Sequence, residues 1–239
     1  MMKKVCILGN SHAACLKLAW DEARSTYGNV SLTFFADRRA GLMGLQPKDG
    51  LLVPDSDQLR ATIEHTSGGL GVVDVQSFDA ILLVGLQVIA YPHAEGHFSS
   101  AAIRQWLLDH TPRTGAFNLA RKIRKISRIP VFVAHQPLEC VDAVEAEMDL
   151  LPYRSSVRFM NERLFKPLDA CVLEQPEQTI TNGFYTKRAY SSDAKRLDVG
   201  DETSNETLPP SDRRHMNATF GSVVLSTHLP KILASTSQG

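Results

Sequence analysis

A serine near one end of this chain and a histidine near the other could work as one chemical unit. Ser11 follows the apolar run Val5 to Leu8, in the stretch Gly9-Asn10-Ser11-His12. Far down the chain, Asp212-Arg213-Arg214-His215 ends a long polar segment and precedes a helix-patterned one. A serine hydroxyl is a poor nucleophile until a nearby base takes its proton. A carboxylate three residues before a histidine can hold one imidazole nitrogen while the other faces that nucleophile. The plainer reading makes Ser11 an N-cap, a position serine favours, and the Asp-His pair a surface ion pair. Two features favour chemistry. The pair would stand ready at the far end of the chain, and a helix N-terminus beside Ser11 would favour developing negative charge.

These side chains need a scaffold, and the hydrophobic pattern supplies one. Val5 to Leu8 reads as a buried parallel strand, followed by a helix with Ala14, Cys15, Leu18 and Ala19 at helical spacing. Val30 to Ala36, Phe78 to Gly85, Pro130 to Ala134 and Ala170 to Leu173 read as further strands. Asp37 to Asp49 reads as a loop with Gly41, Gly44 and Pro47, then a hairpin turn at Lys48-Asp49-Gly50. Helices are expected over Asp57 to His65, Ser99 to His110, Ala116 to Ser127, Ser155 to Lys166 and Asn217 to Leu229, with a short acidic one over Val141 to Leu150. Pro167 should stop one helix, and Pro230 should end or kink the last. Strands alternating with helices argue for a parallel α/β sheet. The C-terminal edge of such a sheet gathers functional groups, and Ser11, Gln87 and His135 would all sit there. The chain reads as a single domain over residues 1–239, with a long polar loop at 191–211 and a frayed C-terminus.

With these elements in place, the sequence resembles the SGNH hydrolases, the GDSL-like esterases. Gly9-Asn10-Ser11 stands where that family carries Gly-Asp-Ser after its first strand, and Asp212-Arg213-Arg214-His215 where it carries its late Asp-x-x-His. The order matches, and the span covers nearly the whole chain. The resemblance implies a three-layer α/β/α, flavodoxin-like fold with a mainly parallel sheet of about five strands. It also implies acyl-ester chemistry, with Ser11 as nucleophile, His215 as base and Asp212 orienting the imidazole. The implied oxyanion hole is the Ser11 N–H, a glycine after the second strand (Gly44 or Gly41) and the side chain at position 87. Gln87 stands where the family has Asn, and Asn10 where it has Asp; an amide is kept at position 87, on a longer arm. The implied function is a serine-dependent esterase or deacylase acting on an O-acyl ester, carbohydrate esters included. The alternatives are an acyltransferase using the same site and a non-catalytic binding protein of the same fold.

Other residues are open to two readings. His12, Gly85 and His135 are candidate substrate contacts; His12 otherwise reads as a surface group or a support behind the site rather than a base, and His135 reads more readily as a structural histidine. His93 and His97 have metal-ligand spacing, but no third ligand stands near, so no metal and no cofactor is expected. A single glycine at the first strand-helix turn argues against a nucleotide-binding loop. Arg121, Lys122, Arg124 and Lys125 read as a solvated helix face. The four cysteines are scattered and read as reduced, mostly buried thiols. Lys+Arg and Asp+Glu both number 26, so nothing marks a nucleic-acid partner. The expected partner is a small-molecule or glycan ester. The N-terminal apolar run is too short for a secretion signal or a membrane span, so a cytoplasmic protein is expected.

Overall fold

In the computed structural model, which describes residues 2–38, 41–92, 98–142, 145–146 and 149–236, strand β1 (Lys3–Gly9) lies near the middle of the molecule. Its side chains alternate between two apolar layers. Val5 and Ile7 face helices α1 (Ala13–Ala23) and α6 (Ala218–Ser235), while Cys6 and Leu8 belong to the core on the opposite face. A strand buried on both faces reads as a continuous hydrophobic run because its period-two alternation meets apolar partners on either side.

Strand β2 (Val30–Ala36) pairs with β1 in parallel, and a small antiparallel sheet follows it. That sheet is β3 (Leu45–Lys48), β4 (Leu51–Pro54) and β5 (Val73–Asp74), with α2 (Asp57–Ser67) between β4 and β5. The expected hairpin turn closes β3 on β4 through Asp49 and Gly50, both at positive φ. The main sheet continues with β6 (Ala80–Val84), β7 (Val131–Ala134) and β8 (Ala170–Leu173), all parallel, in the order β2-β1-β6-β7-β8. Helices α3 (Ser100–His110), α4 (Gly115–Ile126) and α5 (Leu151–Met160) contribute to the core opposite α1 and α6. A short ribbon, β9 (Ile180–Thr181) and β10 (Tyr185–Thr186), completes the strands. The result is a three-layer α/β/α arrangement, and its strand order is the flavodoxin-like one.

The register puts Ala36, Gly9, Val84, Ala134 and Leu173 in one row at the C-terminal edge of the sheet. The residues that follow them, Asp37, Asn10, Gly85, His135 and Glu174, therefore emerge side by side. The strand order reverses between β1 and β6, and ligands of open α/β sheets bind outside the strand ends at such a point.

Several expectations change. The α6 helix runs through Pro230 to Ser235, because buried Leu229 and Ile232 anchor it on both sides of the missing N–H. Close approach holds α6 on α1: a Cβ on Gly221 would come within 2.0 Å of the Cys15 carbonyl oxygen. The helix expected over Ser155 to Lys166 begins at Leu151, since Pro152 suits a first turn, and gives way after Met160 to a wider turn and then a tight one containing Pro167. The acidic stretch Val141 to Leu150 is not helical among its described residues. Asp142 pairs with Arg188 and Arg213, and Asp149 accepts the Leu151 N–H at 2.8 Å. The basic run on α4 is not simply solvated. Lys122 donates to the Met43 and Leu45 carbonyls, and Arg124 to those of Leu168, Ser127, Ile129 and Asp169. These two cations tie α4 to the β3 hairpin and to the approach to β8. The cysteines are free, with Cys6, Cys15 and Cys140 buried and Cys171 exposed. His93 and His97 lie outside the described residues, as does most of the C-terminal stretch expected to fray; among the described residues no metal-binding cluster occurs. No helix of the described residues is long and apolar enough to cross a membrane.

Candidate functional site

The turn after β1 is closed by Asn10, not by Ser11. The Asn10 side-chain oxygen accepts the His12 N–H at 3.2 Å, and its carbonyl accepts the Ala13 N–H at 2.8 Å. His12 takes the N-cap position of α1 without a side-chain cap bond. The Ser11 hydroxyl is therefore free of helix duty, and it lies 2.9 Å from His215 Nε2.

His215 Nδ1 stands 3.0 Å from Asp212 Oδ2. A carboxylate only accepts, so the proton sits on Nδ1 and leaves Nε2 as an acceptor for the Ser11 O–H. The other carboxylate oxygen, Asp212 Oδ1, accepts the backbone N–H groups of His215 at 2.8 Å and Arg214 at 2.9 Å. Burial alone would raise the Asp212 pKa. The N–H and imidazole of His215 and the N–H of Arg214 outweigh it, so the carboxyl is held below its ordinary value.

The loop carrying Asp212 is anchored by residues that no short motif announces. Arg188 donates to the Asp212 carbonyl at 3.3 Å, to Ser191 Oγ at 2.7 Å and to the Pro210 carbonyl. Arg213 bonds Asp142, and its own carbonyl accepts the Cys140 N–H at 2.8 Å. Downstream, Asn217 caps α6 by accepting the Phe220 N–H at 3.1 Å, while its amide donates to Ala189 and Ser192. The spacing of Asp212 and His215 was readable in the sequence; Arg188 and Asp142 carry no such signal, being separated from them by long stretches of chain.

His12 is buried and stacks on His215, with ring centroids 5.0 Å apart and planes 20° from parallel. Burial, and then the nearby His215, push its pKa down to about 3, so it stays neutral. Gly85 lies beneath it at φ +69°, where a Cβ would meet Asn10 Oδ1 at 2.4 Å and the His12 ring at 2.8 Å. Leu86 and Gln87 also have positive φ. Gln87 is exposed, and its carbonyl bonds His110. His135 has both ring nitrogens engaged. Nδ1 donates to the Gln136 carbonyl at 2.5 Å, so Nε2 accepts from the Tyr153 hydroxyl at 2.7 Å. That is the bonding of a structural histidine.

Ser11 and His215 open onto a cleft of about 800 Å³ that is also walled by Asp37, Arg38, Thr62, His65 and Arg196. Neither Gly44 nor Gln87 is among its wall residues. Gly41 packs over the Asp37 carboxylate, beside this cleft, whereas Gly44 packs against Asp55 and Leu59. One wall comes from the polar loop. Arg38 donates twice to the Leu197 carbonyl and bonds Asp201 and Thr203, and His65 meets Asp198 at 2.7 Å. His12 and His135 line a separate cavity on the α6 side of the sheet edge.

No family model and no curated protein matches the sequence. Solved structures resemble it weakly. The periplasmic domain of a lipopolysaccharide acetyltransferase from Salmonella ser. Paratyphi A is 11% identical, with 98% of this chain and 84% of that one covered and a TM-score of 0.47. A putative protease I from Bacteroides thetaiotaomicron is 13% identical, with 98% and 99% covered and a TM-score of 0.27. Likenesses this distant carry no argument about activity.

Proposed function

We propose that this chain is a serine-dependent acyl-ester enzyme of SGNH type, and that Ser11, His215 and Asp212 do its chemistry. One observation carries the reading: a continuous hydrogen-bond line runs from Ser11 Oγ through both nitrogens of His215 to Asp212 Oδ2, at 2.9 and 3.0 Å. In the proposed reaction the Ser11 oxygen attacks an acyl carbonyl while its proton passes to His215 Nε2. Asp212 keeps Nδ1 protonated and stabilises the imidazolium that forms. The proton then leaves with the alcohol, and an acyl-serine remains. His215 next takes a proton from water, or from an acceptor hydroxyl, whose oxygen bonds the acyl carbon; His215 then returns that proton to Ser11 Oγ as the acyl–serine bond breaks.

Carbonyl oxygen charge needs donors in place before it develops. The Ser11 N–H sits at the start of α1; of the other expected donors, Gly41 lies beside the cleft, while Gly44 and Gln87 are not on its wall. Hydrolysis and transfer share every step up to the acyl-serine, so the acceptor alone separates them. Short p-nitrophenyl esters and acetylated sugars test the proposal, with a fluorophosphonate as a covalent probe. Turnover and labelling should both vanish in Ser11→Ala and fall steeply in His215→Ala. Turnover that persists in both variants would sink it, and absence of labelling in wild-type protein would favour a binding role.

A further inference from the structure

Behind the His12–His215 stack lies a second cavity, set between the ends of β6, β7 and β8 and helix α6. It has about 30 Å³ of room for water centres. Most of its wall is apolar, including Val84, Ala134, Leu173, Phe220 and Val224, yet three histidines also line it. His135 has both nitrogens engaged, as described above. His12 and His228 do not: the Nδ1 atom of each is buried without a hydrogen-bond partner. The two residues are 7% and 3% exposed. Buried polar atoms normally find partners, and those left over in a well-packed protein mark a missing one.

The chemistry of these nitrogens restricts the missing partner. Each of these rings can present Nδ1 as a donor or as an acceptor, depending on its tautomer. Burial, followed by the charges of Lys231 and His135, lowers the His228 pKa to about 4, and His12 is likewise neutral. A cation would find no carboxylate in this wall, and an anion no charged donor. The described residues offer no metal-binding cluster. A hydroxyl, by contrast, can give or take a hydrogen bond at both Nδ1 atoms, whichever tautomer each ring holds. The space admits one or two molecules the size of water.

We propose that this cavity is a binding site for a small neutral hydroxyl compound, water or a short alcohol, held by the Nδ1 atoms of His228 and His12. The occupant sits one ring away from the Ser11–His215 pair, since His12 lines this cavity and stacks on His215. The proposal stands apart from the acyl-ester reading, because its test measures binding alone. The full chain at neutral pH is titrated with methanol while the imidazole nitrogens are followed by 15N NMR, and a crystal structure is solved without alcohol. A saturable displacement of the His228 and His12 Nδ1 resonances is expected with methanol, or an ordered water on His228 Nδ1 that methanol does not displace. The first result identifies the alcohol as ligand and the second identifies water. Val224→Phe, which fills the cavity and leaves both rings in place, should abolish either signal. His228→Phe, which removes that nitrogen, serves if that variant does not fold. An empty cavity with unmoved resonances overturns the proposal, as does a methanol response that survives both substitutions.

Discussion

Replacing Asp212 by Asn tests the proposed chemistry with almost no change of shape. The present carboxylate does two jobs. Oδ1 accepts the N–H groups of Arg214 and His215, and Oδ2 accepts from His215 Nδ1. The amide can keep only one of them. With its oxygen on the two backbone N–H groups, the turn survives, and the new NH2 faces His215 Nδ1. Flipped, the NH2 would point at two backbone donors, so the first orientation wins. An NH2 group can only donate, and His215 must then present a bare Nδ1 and carry its proton on Nε2. That proton points at Ser11 Oγ, 2.9 Å away, where the base should be empty. The fold should lose about 1 kcal/mol, the net worth of a hydrogen bond of ordinary strength. The rate should lose far more. A wrong tautomer in this arrangement costs about three to four powers of ten in kcat, or ~4–5.5 kcal/mol of barrier. The assay is kcat and KM on a p-nitrophenyl ester, with unfolding by urea as the control. A folded Asp212→Asn protein whose kcat stays within about tenfold of wild type would refute the reasoning.

Three further outcomes follow from the same geometry. His12 keeps a pKa near 3 when folded against an ordinary 6.5; the unfolded chain therefore binds the extra proton first, and stability is full above the ordinary value and falls as pH drops from there toward the folded one. His12→Phe should flatten that acid limb in urea unfolding measured at a series of pH values, and an unchanged slope would contradict it. Gly85→Ala places a Cβ against Asn10 and His12 at positive φ, and should cost about 1–3 kcal/mol by thermal unfolding; a neutral result would mean the turn relaxes freely. Arg188→Met releases the Asp212 and Pro210 carbonyls, and should lower kcat about tenfold through misplacement of the pair while leaving KM nearly unchanged.

The strands of the main sheet and their parallel pairing were legible because each is a short apolar run and helices alternate with them, while the flavodoxin-like arrangement came only from the family resemblance. The three residues of the proposed chemistry were legible for a different reason: their letters cluster in two short motifs. What stayed hidden depends on packing between distant segments. Lys122 and Arg124 look like solvent-facing charges by spacing alone, yet the carbonyls they satisfy belong to segments that only the fold brings near. Gly41 and Gly44 are equivalent as letters, and differ only in which carboxylate each lies against. His12, read as a substrate contact or as a surface or supporting group, lines a cavity because α6 closes over the sheet edge there.

The division of labour at Asn10 and Ser11 explains why the first turn looked ambiguous. A helix start leaves N–H groups without partners, and a serine beside it would ordinarily turn inward to take one. Asn10 removes that pull, since its side chain reaches the His12 N–H first. An aspartate there would accept the same N–H, but would add a negative charge beside Gly85 and His12 in a buried corner. The neutral amide closes the turn without that charge, and it leaves the Ser11 hydroxyl with His215 as its hydrogen-bond partner. Asn10→Ala should therefore act on Ser11 indirectly: the hydroxyl, offered an unsatisfied N–H, would divide its time between the helix and the histidine. Fluorophosphonate labelling should slow several-fold in a protein that still folds, and Asn10→Asp should restore the turn. Labelling at the wild-type rate in Asn10→Ala would mean that the histidine alone holds the serine.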